Sequence, residues 1–144
     1  MAALLDTNVL VYRRDAAAPA KQRIASALVA RGVADGSVKI PHQALVEFVA
    51  AATRARPPRA PLLSMSEARA EVELLLATTD VLYPTEPVVR TALMGVSAYG
   101  FSWFDAHLWA YAECHGLDVL YSEDFQHGRL YGSVRVVDPF REPS

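Results

Sequence analysis

The sequence predicts an α/β domain. Short apolar runs alternate along it with stretches of helical pattern. Hydrophobic residues make up 52% of 144 residues, enough for a sizeable core near the commonest domain size. Residues 1–144 therefore read as a single domain, and a charged fraction of 21% suits a folded chain.

The elements follow in order. Residues 2–5 form an apolar strand that stops at Asp6. A helix begins after Asp6, with Thr7 and Asn8 in the turn. Residues 15–19 make a loop, and Pro19 starts a helix over residues 20–31. Gly32 to Gly36 closes that helix, and residues 38–40 form the second strand. Pro41 opens a helix over residues 42–53 that is apolar nearly all round, which predicts a buried helix. The prolines of residues 54–61 cannot continue it, so this stretch is a surface loop. Ser64 and Glu67 have the spacing of a capping box for a helix to about residue 77. Residues 80–83 form a third strand. Thr85 and Ser102 cap helices over 86–99 and 103–115, which Gly100 and Gly116 end. Residues 119–121 and 134–137 supply the fourth and fifth strands.

Composition excludes several classes of function. A single cysteine, Cys114, permits no internal disulfide and suits a reducing cytoplasm. Asp6 interrupts the first apolar run, so no secretory leader is expected, and no run approaches the length of a membrane span. The net charge of −2 gives no general affinity for nucleic acid. Nearly all the cations are arginine, the side chain that grips phosphate bidentately.

The acids carry the chemistry. Asp6 is the only charge in the first twelve residues. Glu47 is the only charge between Ile40 and Thr53, and Asp105 the only formal charge between Thr91 and Ala112. Glu123 and Asp124 follow directly on the strand that ends at Tyr121. A charge isolated among apolar residues is costly to bury unless it is paired or binds a metal. Each acid also has an ordinary structural role open to it. Asp6 could cap a helix, Asp105 could favour a first turn, and Glu123 and Asp124 could be turn residues. Glu47 has no solvated face on a helix apolar all round. A shared divalent cation accounts for all four positions together. Carboxylate ligands favour Mg²⁺ or Mn²⁺ over zinc. The four histidines lack the spacing of a zinc site.

At these residues the chain resembles the PIN-domain ribonucleases, in particular the VapC toxins of bacterial VapBC toxin–antitoxin pairs. The matching stretches are Leu4-Leu5-Asp6-Thr7-Asn8-Val9-Leu10, Glu47 within residues 41–52, Phe104-Asp105-Ala106, and Leu120-Tyr121-Ser122-Glu123-Asp124-Phe125. The resemblance implies a three-layer α/β/α sandwich around a parallel sheet of about five strands. It implies cleavage of RNA with Mg²⁺ or Mn²⁺, by in-line attack of a metal-activated water that leaves a 5′-phosphate and a 3′-hydroxyl. Asp6, Glu47, Asp105 and Asp124 would form the catalytic and metal-binding cluster. Thr7 and Ser122 would orient Asp6 or the water, with Asn8 in support and Glu123 either a further acid or a neighbour facing away. Arg13, Arg14, Arg54, Arg56, Arg59 and Arg129 are the candidates for RNA or partner contacts. The implied partners are RNA, a VapB-like antitoxin and a second copy, assembling as a homodimer, a heterotetramer or larger, in the cytoplasm and away from membrane. Two other readings stand beside it. One is a non-catalytic PIN-fold module that binds RNA or protein. The other is a phosphotransfer domain, which would place a second Asp where Asn8 stands.

Overall fold

The structure is a computed structural model and describes residues 2–141. Its centre is β1, Ala3–Leu5, which is buried throughout. Successive strand side chains point to opposite faces. Leu5 accordingly packs into one apolar core and Leu4 into the other. The core on the Leu5 side is built by α1 (Thr7–Tyr12), α2 (Pro19–Asp35), α3 (His42–Thr53) and α4 (Met65–Thr78). The core on the Leu4 side is built by α5 (Glu86–Tyr99) and α6 (Trp103–Cys114), with Trp109 and Tyr111 at its centre. Helices thus cover both faces of the sheet, which is why its strands read as apolar runs and not as alternation.

The remaining strands are β2 (Val38–Pro41), β3 (Asp80–Leu82), β4 (Val119–Tyr121), β5 (Leu130–Tyr131) and β6 (Val134–Val137). Their order across the sheet is β3-β2-β1-β4-β6-β5. All neighbours are parallel except β5 and β6. Chain order leaves β1 toward β2 on one side and toward β4 on the other. The carboxyl ends of β1 and β4 therefore flank a topological switch point, where open α/β sheets form their crevices.

Three expectations need correction. The sheet has six strands and is mixed, not five and parallel. The extra strand is a two-residue segment folded back by Gly132-Ser133, with Gly132 at φ 59°. That left-handed conformation suits glycine and makes a two-residue hairpin. Second, α2 begins at Pro19 and runs through Gly32 to Asp35, capped by Gly36. Gly32 lies inside the helix because a Cβ there would sit 1.9 Å from Val38 Cγ2. Third, α3 is not buried all round: Ala44, Leu45, Phe48 and Ala52 face the core, while Val46 is 55% exposed. Thr7 and Asn8 form the first turn of α1, which begins directly after Asp6 as expected. The capping box at Ser64 and Glu67 forms as the spacing predicts. Among the described residues, no helix is long and apolar enough to cross a membrane.

Candidate active site

Four elements deliver carboxylates to the carboxyl end of the sheet. Asp6 directly follows β1, and its backbone N–H donates to the Tyr121 carbonyl at the end of β4 (3.0 Å). It is the N-cap of α1 and is only 2% exposed. Its carboxylate accepts from the Thr7 backbone N–H at 2.6 Å and from the Ser122 hydroxyl at 2.5 Å. Ser122 is wholly buried, so this hydroxyl has no solvent partner to prefer. The same Oγ accepts from the Asp124 backbone N–H (3.1 Å) and ties the turn after β4 to Asp6.

Glu47 lies in the second turn of α3. The Thr7 hydroxyl donates to one of its oxygens (2.7 Å) and the Gln43 amide to the other (3.0 Å). Gln43 also donates to the Phe104 carbonyl (3.1 Å), linking α3 to the start of α6. Asp105 stands in the first turn of α6, its backbone N–H donating to Ser102 Oγ (3.2 Å). Asp124 is exposed, and the Asn8 amide donates to it at 3.2 Å and to Asp6 at 3.4 Å. The Asn8 Oδ1 atom is buried and has no hydrogen-bond partner among the described residues.

The acids feel one another's charge. Burial pushes Asp6 up to about 7, the neighbouring charges of Asp124 and Glu47 add to this, and the Ser122 and Thr7 donors oppose it. Asp105 is raised by burial and then by Glu47. Asp124 is raised by burial and then by Asp105, Glu123 and Glu47. Even so, among the described residues no three His, Cys, Asp or Glu side chains stand close enough to share one metal ion. The donor chemistry fits a hard divalent cation, since every candidate ligand is an oxygen. A carboxylate kept from ionising chiefly by burial, and further by its acidic neighbours, is also what such a cation relieves.

The other expected residues fall into two groups. Thr7 serves Glu47 through its hydroxyl and Asp6 through its N–H, whereas its hydroxyl was expected at Asp6 or a water. Glu123 turns away from the cluster. It accepts from Tyr12 Oη (2.9 Å) and pairs with Lys21 (2.9 Å). Arg13 and Arg14 also turn away, and both pair with the buried Glu71 of α4, Arg13 at 2.8 Å. Arg129 stacks on the Tyr131 ring with 4.5 Å to its centroid. Arg56 and Arg59 do reach the site. With Thr7, Asn8, Tyr12, Asp15 and Asp124 they line a groove of about 430 Å³. Arg54 lines the adjoining hollow with the same two arginines.

Sequence reasoning missed Gln43, Tyr12, Lys21 and Glu71. Gln43 carries a readable signal, four residues before Glu47 on one helix face. Three of the four histidines have backbone partners. His107 and His115 donate to carbonyls one turn back, and His127 accepts from the Asp138 N–H.

The fold is shared with solved toxin structures. A toxin–antitoxin complex from Klebsiella pneumoniae superposes with a TM-score of 0.70 at 17% identity, covering 96% of this chain and 98% of that one. VapBC from Salmonella typhimurium, solved bound to DNA, gives 0.67 at 16% identity over 96% and 98%. VapC20 of Mycobacterium tuberculosis, described as a sarcin–ricin loop cleaving toxin, gives 0.64 at 18% identity over 85% and 90%. At these identities the likeness speaks for the fold. A search of curated proteins finds no match. The PIN-domain family description matches residues 3–132, nearly the whole chain. By that match, and with the sheet order and acidic end described above, the chain belongs to the PIN-domain family.

Proposed function

We propose that this protein is a ribonuclease that hydrolyses RNA phosphodiester bonds and is the toxin of a VapBC-type toxin–antitoxin pair, acting as one domain across residues 1–144. The observation that carries the reading is the convergence of Asp6, Glu47, Asp105 and Asp124 from four separate elements on one end of the sheet. Likeness in fold to VapC and VapBC structures supports the toxin assignment. A VapB-like antitoxin, a second copy of the chain and a cytoplasmic setting belong to the same proposal.

Asp6, Glu47, Asp105 and Asp124 would hold Mg²⁺ or Mn²⁺ between them, one or two by direct contact and the others through water, the arrangement Mg²⁺ favours. Such an ion lowers the pKa of a bound water and neutralises charge on a phosphodiester in displacement. The chain's own residues prepare that site. The Ser122 hydroxyl and the Thr7 N–H hold the Asp6 carboxylate in one orientation. Thr7 and Gln43 do the same for Glu47. Asn8 bridges Asp6 and Asp124, which would otherwise repel. In hydrolysis a water oxygen bonds to phosphorus, the bond from phosphorus to the 3′ oxygen breaks, and the departing oxygen takes up a proton. No side-chain nucleophile is required.

The test incubates RNA with Mg²⁺ or Mn²⁺ and compares the natural chain, Asp6→Asn and the natural chain in EDTA. Cleavage is expected in the first sample alone, with a loss of at least about a hundredfold in the others, a size typical for groups that stabilise transition-state charge. Cleavage that persists in both controls sinks the acidic-site reading. No cleavage of any RNA turns the protein into a PIN-fold binding module.

A further inference from the structure

A nuclease with a net charge of −2 and an acidic centre has to hold a polyanion. The chain's arginines divide sharply in how they are placed. Arg13 and Arg14 are consumed by Glu71, Arg90 by Glu86, and Arg129 lies on Tyr131. Arg56 and Arg59 differ from all of these. Both are exposed, and neither is ion-paired to a carboxylate among the described residues; Arg23, Arg31, Arg54, Arg69, Arg135 and Arg141 share this, but of all these only Arg56 and Arg59 line the groove with Asp124.

The backbone between them is not a loose loop. Arg56 and Arg59 form an antiparallel bridge, with the N–H of each donating to the carbonyl of the other at 3.1 and 2.7 Å. Pro57 and Pro58 fill the turn, and proline restricts its own φ and the residue before it. The two guanidinium groups therefore leave a short, internally bonded turn. They line the same groove as Thr7, Asn8 and Asp124, which belong to the acidic end of the sheet. An arginine held this way loses less freedom when it binds, and its planar fork matches a phosphate.

We propose that the Arg56–Arg59 turn is a phosphate clamp for the RNA backbone. It grips the backbone next to the bond presented to the carboxylates, so that the strand crosses the groove from the turn to Asp124. The groove is bordered by that turn and by α1. The grip is on phosphate, so it carries no base preference. This inference rests on the ribonuclease reading and adds to it the two residues that hold the substrate's backbone. An acidic segment of a protein partner is the rival occupant, because a carboxylate offers arginine the same fork.

The experiment measures binding of fluorescein-labelled oligouridylate and of a mixed-sequence oligoribonucleotide by anisotropy in EDTA, across a salt series. It uses the natural chain, Arg56→Ala/Arg59→Ala, Arg56→Lys/Arg59→Lys, and Arg31→Ala as a distant exposed control. The double alanine variant is expected to lose about tenfold or more in affinity. Its slope of log affinity against log salt should fall by about 1.4, two phosphate contacts at ~0.7 each for a single strand. The lysine pair should keep most of the slope and lose part of the affinity, and Arg31→Ala should match the natural chain. Thermal melts verify folding, and single Arg59→Gln and Arg56→Gln variants serve if the double variant does not fold. Unchanged affinity and slope in a folded double variant overturn the clamp while leaving the ribonuclease reading intact. A natural chain that binds neither RNA overturns both. Loss of binding to an oligoglutamate peptide without loss of RNA binding overturns the clamp and assigns the turn to an acidic partner.

Discussion

Replacing Asp6 by Asn should make the protein more stable at pH 8 and about 1 kcal/mol less stable at pH 4, provided divalent ions are removed. Asp6 is 2% exposed and its carboxyl is raised from 3.8 to about 7, chiefly by burial. In the unfolded chain it ionises near the ordinary value. Between pH 4 and 7 the folded state therefore binds more protons than the unfolded state, and stability falls as pH rises through that window. The favourable contribution is fully present below about pH 4 and lost above about pH 7. At 1.36 kcal/mol per pH unit, the interval from 3.8 to about 7 corresponds to roughly 4 kcal/mol. An amide carries no proton to lose, so the variant escapes this cost. It loses part of the hydrogen bonding from Ser122 and Thr7, worth about 1 kcal/mol at every pH. The assay is urea unfolding in EDTA at several pH values from 4 to 8. The stability of the variant relative to the natural chain should rise by about 2 to 4 kcal/mol across the series. A difference that stays constant within ~0.5 kcal/mol would refute the reasoning, because it would mean that Asp6 ionises as easily folded as unfolded.

Three further outcomes are expected. Millimolar Mg²⁺ or Mn²⁺ should raise the melting temperature of the natural chain at pH 7.5 by mass action and raise that of Asp6→Asn much less; equal shifts would count against a cation at the acidic end. Glu71→Gln should cost about 3 kcal/mol in urea unfolding, since it leaves Arg13 and Arg14 facing each other with no anion; a loss under ~0.5 kcal/mol would show the pair to be incidental. Gly32→Ala should cost about 2 kcal/mol or more by the same measurement, because the new Cβ meets the buried Val38 side chain, and a neutral result would place that contact elsewhere.

The legible part of this protein was the part in which burial shows in composition. Leu4 and Leu5 face opposite cores, so β1 is apolar at every position, and the charge that ends it stands out. Asp6, Glu47 and Asp105 were conspicuous for the same reason. Choosing between Glu123 and Asp124 was out of reach, because adjacent residues project in opposite directions. The choice rests on Lys21 and Tyr12, about a hundred residues away in the chain, which capture Glu123. Glu71 was hidden among Glu67 and Glu73 on a helix of mixed polarity, although it alone of the three is buried. The arginines looked equivalent in sequence. Ion pairing across distant elements separates Arg13 and Arg14 from Arg56 and Arg59. The strand β5 was missed because two residues carry no periodicity, and only the Gly132-Ser133 turn announces it.

The position of Asp6 on the central strand has a consequence for how the site breathes. Its N–H is bonded to Tyr121 between two strands that have helices on both sides, so it opens only when the sheet itself opens. Asp124 hangs from an exposed turn, and Asp105 from the first turn of a helix beside the exposed Trp103 and Phe104. These can shift at low local cost. The acidic end is thus an anvil and two levers: one carboxylate that keeps its place for as long as the protein is folded, and others free to close toward it.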